Sequence, residues 1–318
     1  MSREIVIVMG FNAGGKTTIV QEFVADGYHR LNRDEMGGSL DGQAKAAKEF
    51  LCEGHYKVVL DNTYLTVESR ESIIQVGKEL DVPVRCVHLT TSFEDAQLNA
   101  CLRMVQRTGR LLMPEDFKGE FKNDPNMFPP VALFSAKKRF RPPKEAEGFS
   151  VVEEREFVRK WPADHTNKAI LLDYDDTLRR STGNERWPED PSEVELLPGR
   201  TAKLQQCVKD GYVLLGVSNQ SAVAKAGKPR GITHDTAVAC FERTNELLGL
   251  KIDYMFCPHR IPPVTCYCRK PGSGIGAYFI LKYKLNPEEC IMVGDATSDR
   301  TFATRSGFRY KDEKDFFK

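Results

Sequence analysis

Gly10-Phe11-Asn12-Ala13-Gly14-Gly15-Lys16-Thr17 fits the spacing G-x-x-x-x-G-K-[ST] without a mismatch. Such a turn suits a polyphosphate. Glycines let backbone N–H groups point inward, the lysine neutralises charge on the outer phosphates, and the neighbouring hydroxyl can ligate Mg2+. An apolar run, 5–9, precedes the turn and a helix-compatible run, 18–24, follows it, so a helix N-terminus also faces the anion. The candidate nucleotide-binding residues are Gly10, Asn12, Gly14, Gly15, Lys16, Thr17 and Thr18. Asp34 lies near the expected end of a second strand and could take the proton of an attacking hydroxyl; it could equally be a turn or cap residue. Asp61, after the run 57–60, is either a second metal-side carboxylate or a helix N-cap, a job that Thr63 or Thr66 could do instead. Arg103 and Arg107, four apart on an expected helix, either clamp a transferring phosphoryl group or form a solvated basic face. The run 137–141 (KKRFR) is a basic patch of the kind found more often on plain surface than at a nucleic-acid site.

A second constellation starts at Asp173-Tyr174-Asp175-Asp176-Thr177, a D-x-D-x-T pattern directly after the apolar run 169–172. The first carboxylate can attack phosphorus and form an aspartyl-phosphate. The carboxylate two residues on can protonate the leaving group and then activate water. Mg2+ is needed to bring a phosphate dianion beside these groups, with Asp173, Asp175 and Asp295 as its candidate ligands. Ser218 follows a strand-like run and can bind a phosphate oxygen, Lys270 can stabilise phosphoryl charge and hold Asp173, and the segment 294–299 (GDATSD) adds metal-side carboxylates. Cys257, His259, Cys266 and Cys268 form C-x-H-x6-C-x-C, three thiolates and an imidazole suited to a closed, structural zinc site. That loop ends at Lys270, so zinc would fix the position of a catalytic lysine.

These residues need strand ends to hold them. Apolar runs at 58–60, 84–89, 213–217 and 290–293 alternate with helical stretches, which predicts two parallel-sheet α/β units. The segment 113–144, rich in Pro, Phe and Lys, reads as a lid or irregular insertion. The expected domains are 1–158 and 159–318. Only about 40 residues separate Thr177 from Ser218, which leaves no room there for a large helical cap. The 318 residues are 41% hydrophobic and 29% charged, an ordinary globular balance. With 46 Lys+Arg against 45 Asp+Glu, the net charge of +1 excludes a coat of bulk positive charge for nucleic acid or an anionic membrane. No run is long enough to span a bilayer and no signal peptide is visible. Nine scattered cysteines point to a reducing, cytoplasmic setting.

Residues of about 5–157 resemble the 5′-hydroxyl polynucleotide kinase domain of the polynucleotide kinase-phosphatase family. The resemblance is carried by GFNAGGKTT, LNRDEMGG, VVLDNTYLTVESR, NACLR and KKRFRPPKEAEGFSVV. It implies ATP binding by Gly15, Lys16 and Thr17, a general base at Asp34 and a phosphate contact at Arg103. Asp61 matches a family position near the acceptor site. Asn12-Ala13-Gly14 departs from the family's usual loop but leaves the required positions intact. Residues of about 168–310 resemble the haloacid-dehalogenase phosphatase superfamily, with Asp176 where many members have Gly. The loop CPHRIPPVTCYCRKP is similar to that of heptose-bisphosphate and histidinol-phosphate phosphatases, a departure from polynucleotide 3′-phosphatases. The implied fold is a P-loop kinase parallel sheet followed by a Rossmann-like phosphatase domain with little or no cap. The implied function is a bifunctional enzyme that phosphorylates 5′-hydroxyl DNA or RNA ends with ATP and removes 3′-phosphates. Its order, kinase first, is that of the phage-type enzyme. A kinase/phosphatase of small sugars or nucleotides is the rival. The sequence leaves the oligomeric state open, a homo-oligomer included.

Overall fold

The computed structural model describes residues 3–260 and 265–318; residues 261–264, inside the expected zinc loop, lie outside the described residues. The chain divides into two compact units, Met1–Ala100 with Asn123–Arg159 and Cys101–Lys122 with Lys160–Lys318.

The first unit runs β1 (Glu4–Met9), α1 (Lys16–Ala25), β2 (His29–Asn32), α2 (Arg33–Met36), α3 (Leu40–Cys52), β3 (Lys57–Asp61), α4 (Glu68–Leu80), β4 (Val84–Leu89), the start of α5 (Phe93–Thr108), α6 (Pro130–Arg139) and β5 (Val151–Arg155). Its five strands are all parallel, in the order β2-β3-β1-β4-β5. The unbroken apolar run of β1 is explained by burial on both faces. Ile5, Ile7 and Met9 enter one core cluster with α3 and α4, while Val6 and Val8 enter another with α1. The stretch expected to be irregular contains α6. Pro130 begins it, at a helix start where no intrahelical N–H is needed.

The second unit runs β6 (Ala169–Leu172), β7 (Arg179–Ser181), β8 (Val194–Leu196), α7 (Arg200–Lys209), β9 (Val213–Asn219), α8 (His234–Leu248), β10 (Asp253–Cys257), α9 (Gly274–Lys282), β11 (Ile291–Gly294), α10 (Thr297–Ser306), β12 (Arg309–Asp312) and α11 (Glu313–Phe316). A parallel sheet, β10-β9-β6-β11-β12, is joined by the antiparallel β7-β8 ribbon. Between Thr177 and Ser218 stand only that ribbon and α7, with no separate cap domain among the described residues. Gly216 on β9 is fixed by space: a Cβ there would lie 2.5 Å from the Tyr174 ring. In both sheets the strand order reverses at the first strand, and ligands of such sheets bind outside the carboxyl ends of the strands at that point.

Candidate active sites

In the first unit the loop after β1 reaches α1 through Gly15, at φ 92°, a left-handed conformation that costs a side-chain-bearing residue energy. Two side chains arriving after β4 brace the loop from outside. Thr91 Oγ1 donates to the Gly14 carbonyl at 2.6 Å and Asn99 Nδ2 to the Ala13 carbonyl at 2.8 Å. The Gly14 N–H is itself held by the Phe11 carbonyl at 3.0 Å, so the donors that face an anion here are those at the very start of α1. Lys16 is buried and folds back on the loop, donating to the Phe11 carbonyl at 2.8 Å and the Gly10 carbonyl at 3.3 Å. Thr17 and Thr18 are exposed in the first turn of α1, and Gly10 and Asn12 lie in the loop itself. These groups fit ATP: a lysine, two hydroxyls and backbone donors share one turn.

Asp61 ends β3 and is paired across the sheet with Asn32 of β2 and Val8 of β1. Its buried carboxylate accepts from Arg30 at 2.8 Å and Asn32 at 3.0 Å, so it is not a helix cap; Thr66 Oγ1 accepts from the Ser69 N–H instead. Asp34 is exposed on α2, its N–H bound to Asn32 Oδ1 and its carboxylate 3.4 Å from Arg33. Arg103 is half-buried on the part of α5 that belongs to the second unit. Arg110 is held by Asp116 through two bonds of 2.7 Å.

In the second unit β6, β9 and β11 bring Asp173, Ser218 and Asp295 to one end of the sheet. Asp173 follows β6, and its N–H donates to the Val293 carbonyl of β11. Lys270 is 3% exposed, and its ammonium reaches Asp173 at 2.9 Å, Asp299 at 2.7 Å and the Val217 carbonyl at 2.7 Å. Burial pushes the Asp173 carboxyl up to about 7; Lys270 opposes this, and Asp299 and Asp175 add to it. Burial works to lower Lys270, but the two carboxylates outweigh it and hold the ammonium above its ordinary range. Asp295 is also raised, by burial and then by Asp299. Oxygens of Asp173, Asp295 and Asp299 lie within 4.8 Å of one another, an arrangement able to hold a cation. Asp175 is not in that group. Its carboxylate accepts from Arg179 at 2.9 Å and from Gln220 at 2.7 Å, and Gln220 also donates to Ser218 Oγ at 3.1 Å. Arg179 and Gln220 were not singled out as site residues in the sequence, whereas Asp299 belongs to the segment 294–299 expected to add metal-side carboxylates. Asp173, Asp175, Ser218, Lys270 and Asp295 share a cavity of about 220 Å3.

Cys257, at the end of β10, meets His259, Cys266 and Cys268 with all four ligand atoms within 4.8 Å. Sγ of Cys257 lies 3.7 Å from Sγ of Cys266 and 3.4 Å from His259 Nδ1, which is 3.3 Å from Sγ of Cys268. All nine cysteines are free thiols. The cluster is tied to Lys270 by Asn219. Its side chain accepts from the Lys270 N–H at 2.9 Å and donates to the Lys270 carbonyl at 3.0 Å, while its backbone pairs with Cys257. No helix among the described residues is long and apolar enough to cross a membrane.

Comparison with known proteins finds two matched stretches. Residues 5–109 match a family described as an AAA domain, and residues 168–317 match one described as polynucleotide kinase 3 phosphatase. Over 176 residues, 55% of this chain, it is 34% identical to the bifunctional polynucleotide phosphatase/kinase of Schizosaccharomyces pombe; the match spans 36% of that relative's length. Over 142 residues it is 31% identical to the D-glycero-beta-D-manno-heptose-1,7-bisphosphate 7-phosphatase of Haemophilus influenzae, covering 42% of this chain and 73% of that one. A solved D,D-heptose 1,7-bisphosphate phosphatase of B. bronchiseptica, complexed with magnesium and phosphate, aligns at a TM-score of 0.40 and 23% identity, over 46% of this chain and 79% of the other. The chain is thus similar to an AAA domain in its first part and to polynucleotide kinase 3 phosphatase in its second.

Proposed function

We propose that the protein heals nucleic-acid ends. Residues 1–158 transfer the ATP γ-phosphate to a 5′-hydroxyl, and residues 159–318 remove a 3′-phosphate. The observation that carries the phosphatase half is the Lys270 ammonium, buried between Asp173 and Asp299. In the kinase, the 10–18 loop holds the triphosphate, with Lys16 leaving the loop carbonyls for phosphate oxygens. Asp34 takes the proton from the acceptor hydroxyl, and Arg103 contacts the transferring group. In the phosphatase, an Asp173 oxygen bonds to phosphorus as the ester oxygen departs with a proton from Asp175. Asp175 then takes a proton from the water that releases phosphate. Ser218 and Lys270 hold phosphate oxygens. Asp173, Asp295 and Asp299 would hold Mg2+, which offsets the charge of a dianion beside three carboxylates.

The Cys/His cluster fits zinc. A tetrahedral ion with bonds of about 2.3 Å to sulfur and 2.0–2.1 Å to nitrogen puts sulfurs about 3.8 Å apart and sulfur about 3.6 Å from nitrogen. The observed 3.7, 3.4 and 3.3 Å are close to those separations. Four protein ligands leave no open position, so zinc would be structural, setting the Lys270 backbone through the short link from Cys268.

The fission-yeast relative supports a polynucleotide substrate; the Haemophilus relative favours a sugar phosphate. Matched 5′-hydroxyl and 3′-phosphate DNA and RNA oligonucleotides, tested beside a sugar-phosphate panel with labelled ATP, separate the two. Lys16→Ala should abolish only phosphorylation and Asp173→Asn only dephosphorylation. Turnover of sugars alone, or loss of both activities in either variant, would refute the reading.

A further inference from the structure

Arg179, the first residue of β7, is 1% exposed, whereas its neighbour Arg180 faces outward and pairs with Glu195 at the surface. Taking a guanidinium out of water is costly unless its donors are met. Here α8 meets them from the core side. Nη1 donates to the Cys240 carbonyl at 2.7 Å and to Thr244 Oγ1 at 2.9 Å, one turn apart on that helix. The central carbon of the guanidinium lies 5.3 Å from the Tyr174 ring centre and 4.8 Å from that of Phe241. Tyr174, Cys240, Phe241 and Thr244 are all buried, so the cation is held by groups that do not move with solvent. Its Nε donates to Asp175 Oδ1 at 2.9 Å. The other oxygen, Oδ2, accepts from Gln220 at 2.7 Å, and Gln220 also donates to Ser218 Oγ at 3.1 Å. Each oxygen of this carboxyl group therefore has a fixed donor on a side chain that is itself buried.

A carboxyl group free to turn would face the leaving oxygen for only part of the time, and orientation is a large share of what a placed acid supplies. We propose that Arg179 is a positioning residue of the phosphatase: with Gln220 it fixes the Asp175 carboxyl so that Oδ2 carries the proton. Oδ1 is turned to the buried guanidinium, while Oδ2 shares Gln220 with Ser218, which lines the cavity. In the first step an Asp173 oxygen bonds to phosphorus, the ester P–O bond breaks, and the Oδ2 proton passes to the departing oxygen. In the second, water oxygen bonds to phosphorus, the bond to Asp173 breaks, and Oδ2 takes the water's proton. The acid is thus set by α8 and not by a closing lid, which suits a site with no separate cap domain among the described residues. This rests on the phosphatase reading above and not on whether the ester is a polymer end or a small sugar.

The test uses the full protein with Mg2+ and two esters. An oligonucleotide 3′-phosphate has an alkoxide leaving group that needs a proton; p-nitrophenyl phosphate has a phenolate that leaves without one. The quantity read is kcat/KM, which covers the steps up to departure of the ester oxygen and not the later attack of water. Arg179→Met should lower it for the oligonucleotide by about 100-fold, the low end of what a placed acid supplies, and for p-nitrophenyl phosphate by less than about 5-fold. Arg179→Lys keeps a cation that reaches Asp175 or the Cys240 carbonyl but not both, and should recover part of the loss. Thr244→Val loosens the guanidinium without removing it. It should show the same bias in smaller measure, and it carries the test should Arg179→Met not fold. Equal losses on the two esters in these variants would make Arg179 a packing residue and overturn the proposal. A parent protein that hydrolyses neither ester, nor any sugar phosphate, refutes the phosphatase reading, and the proposal falls with it. One that spares the oligonucleotide but cleaves a sugar phosphate refutes only the polymer substrate; that sugar phosphate, also an alkyl ester, then takes the oligonucleotide's place.

Discussion

Replacing Lys270 with methionine keeps the length of the side chain and removes its charge. The ammonium is buried between Asp173 and Asp299, so the change leaves two carboxylates facing each other without their shared partner. Removing one side of a buried pair costs about 3–5 kcal/mol. At about 2–4 °C per kcal/mol for a unit of this size, the second unit should melt roughly 6–20 °C lower. The loss depends on pH with a definite sign. Asp173 has its folded-state pKa raised, so its contribution is full below the unfolded value of about 3.9 and is lost as pH rises through about 7. Without Lys270 the folded value climbs further. The gap between variant and parent should therefore be widest near pH 8 and narrow toward pH 4. Scanning calorimetry from pH 4 to 8 reads both the shift and its trend, with the first unit as internal control. A fall of less than about 2 °C at pH 8, or a gap that widens on acidification, would refute the electrostatic account.

Thr91→Val removes the hydroxyl that pins the Gly14 carbonyl but keeps the side chain's shape. It should raise KM for ATP several-fold, by the ~1 kcal/mol of one hydrogen bond, with phosphatase kinetics unchanged. Elemental analysis of purified protein should give about one zinc per chain. Cys266→Ser should lower that content and slow dephosphorylation through Lys270 placement; a metal-free protein of full activity would contradict the coupling.

Both reactive loops were legible because each follows a strand whose apolar run is unbroken, and in parallel sheets that pattern ends where ligands bind. Lys270 and the four Cys/His positions were legible from residue type and spacing. What escaped was the bracing. Thr91 and Asn99 reach the nucleotide loop across separations of 77 and 86 residues, and nothing near them in sequence marks the contact. Asp299 was expected among the metal-side carboxylates of 294–299, but its full burial and its hold on Lys270 depend on where α10 starts. Asp175 was read as a metal ligand from its place in D-x-D. The structure turns its carboxylate to Gln220 and to Arg179, a buried side chain whose guanidinium also donates to the Cys240 carbonyl and to Thr244 Oγ1.

The strand order of the second unit also sets when its site can exist during synthesis. Asp173 leaves the ribosome with β6, but the lysine that pairs with it arrives about 100 residues later and Asp299 later still. At about 5–20 residues per second, that carboxylate waits roughly 6–25 s for its full set of neighbours. The nucleotide loop waits less, since Thr91 and Asn99 are made within the first hundred residues. A pause or truncation before Asp299 would thus leave the loop of the first unit braced and Asp173 without its full set of neighbours.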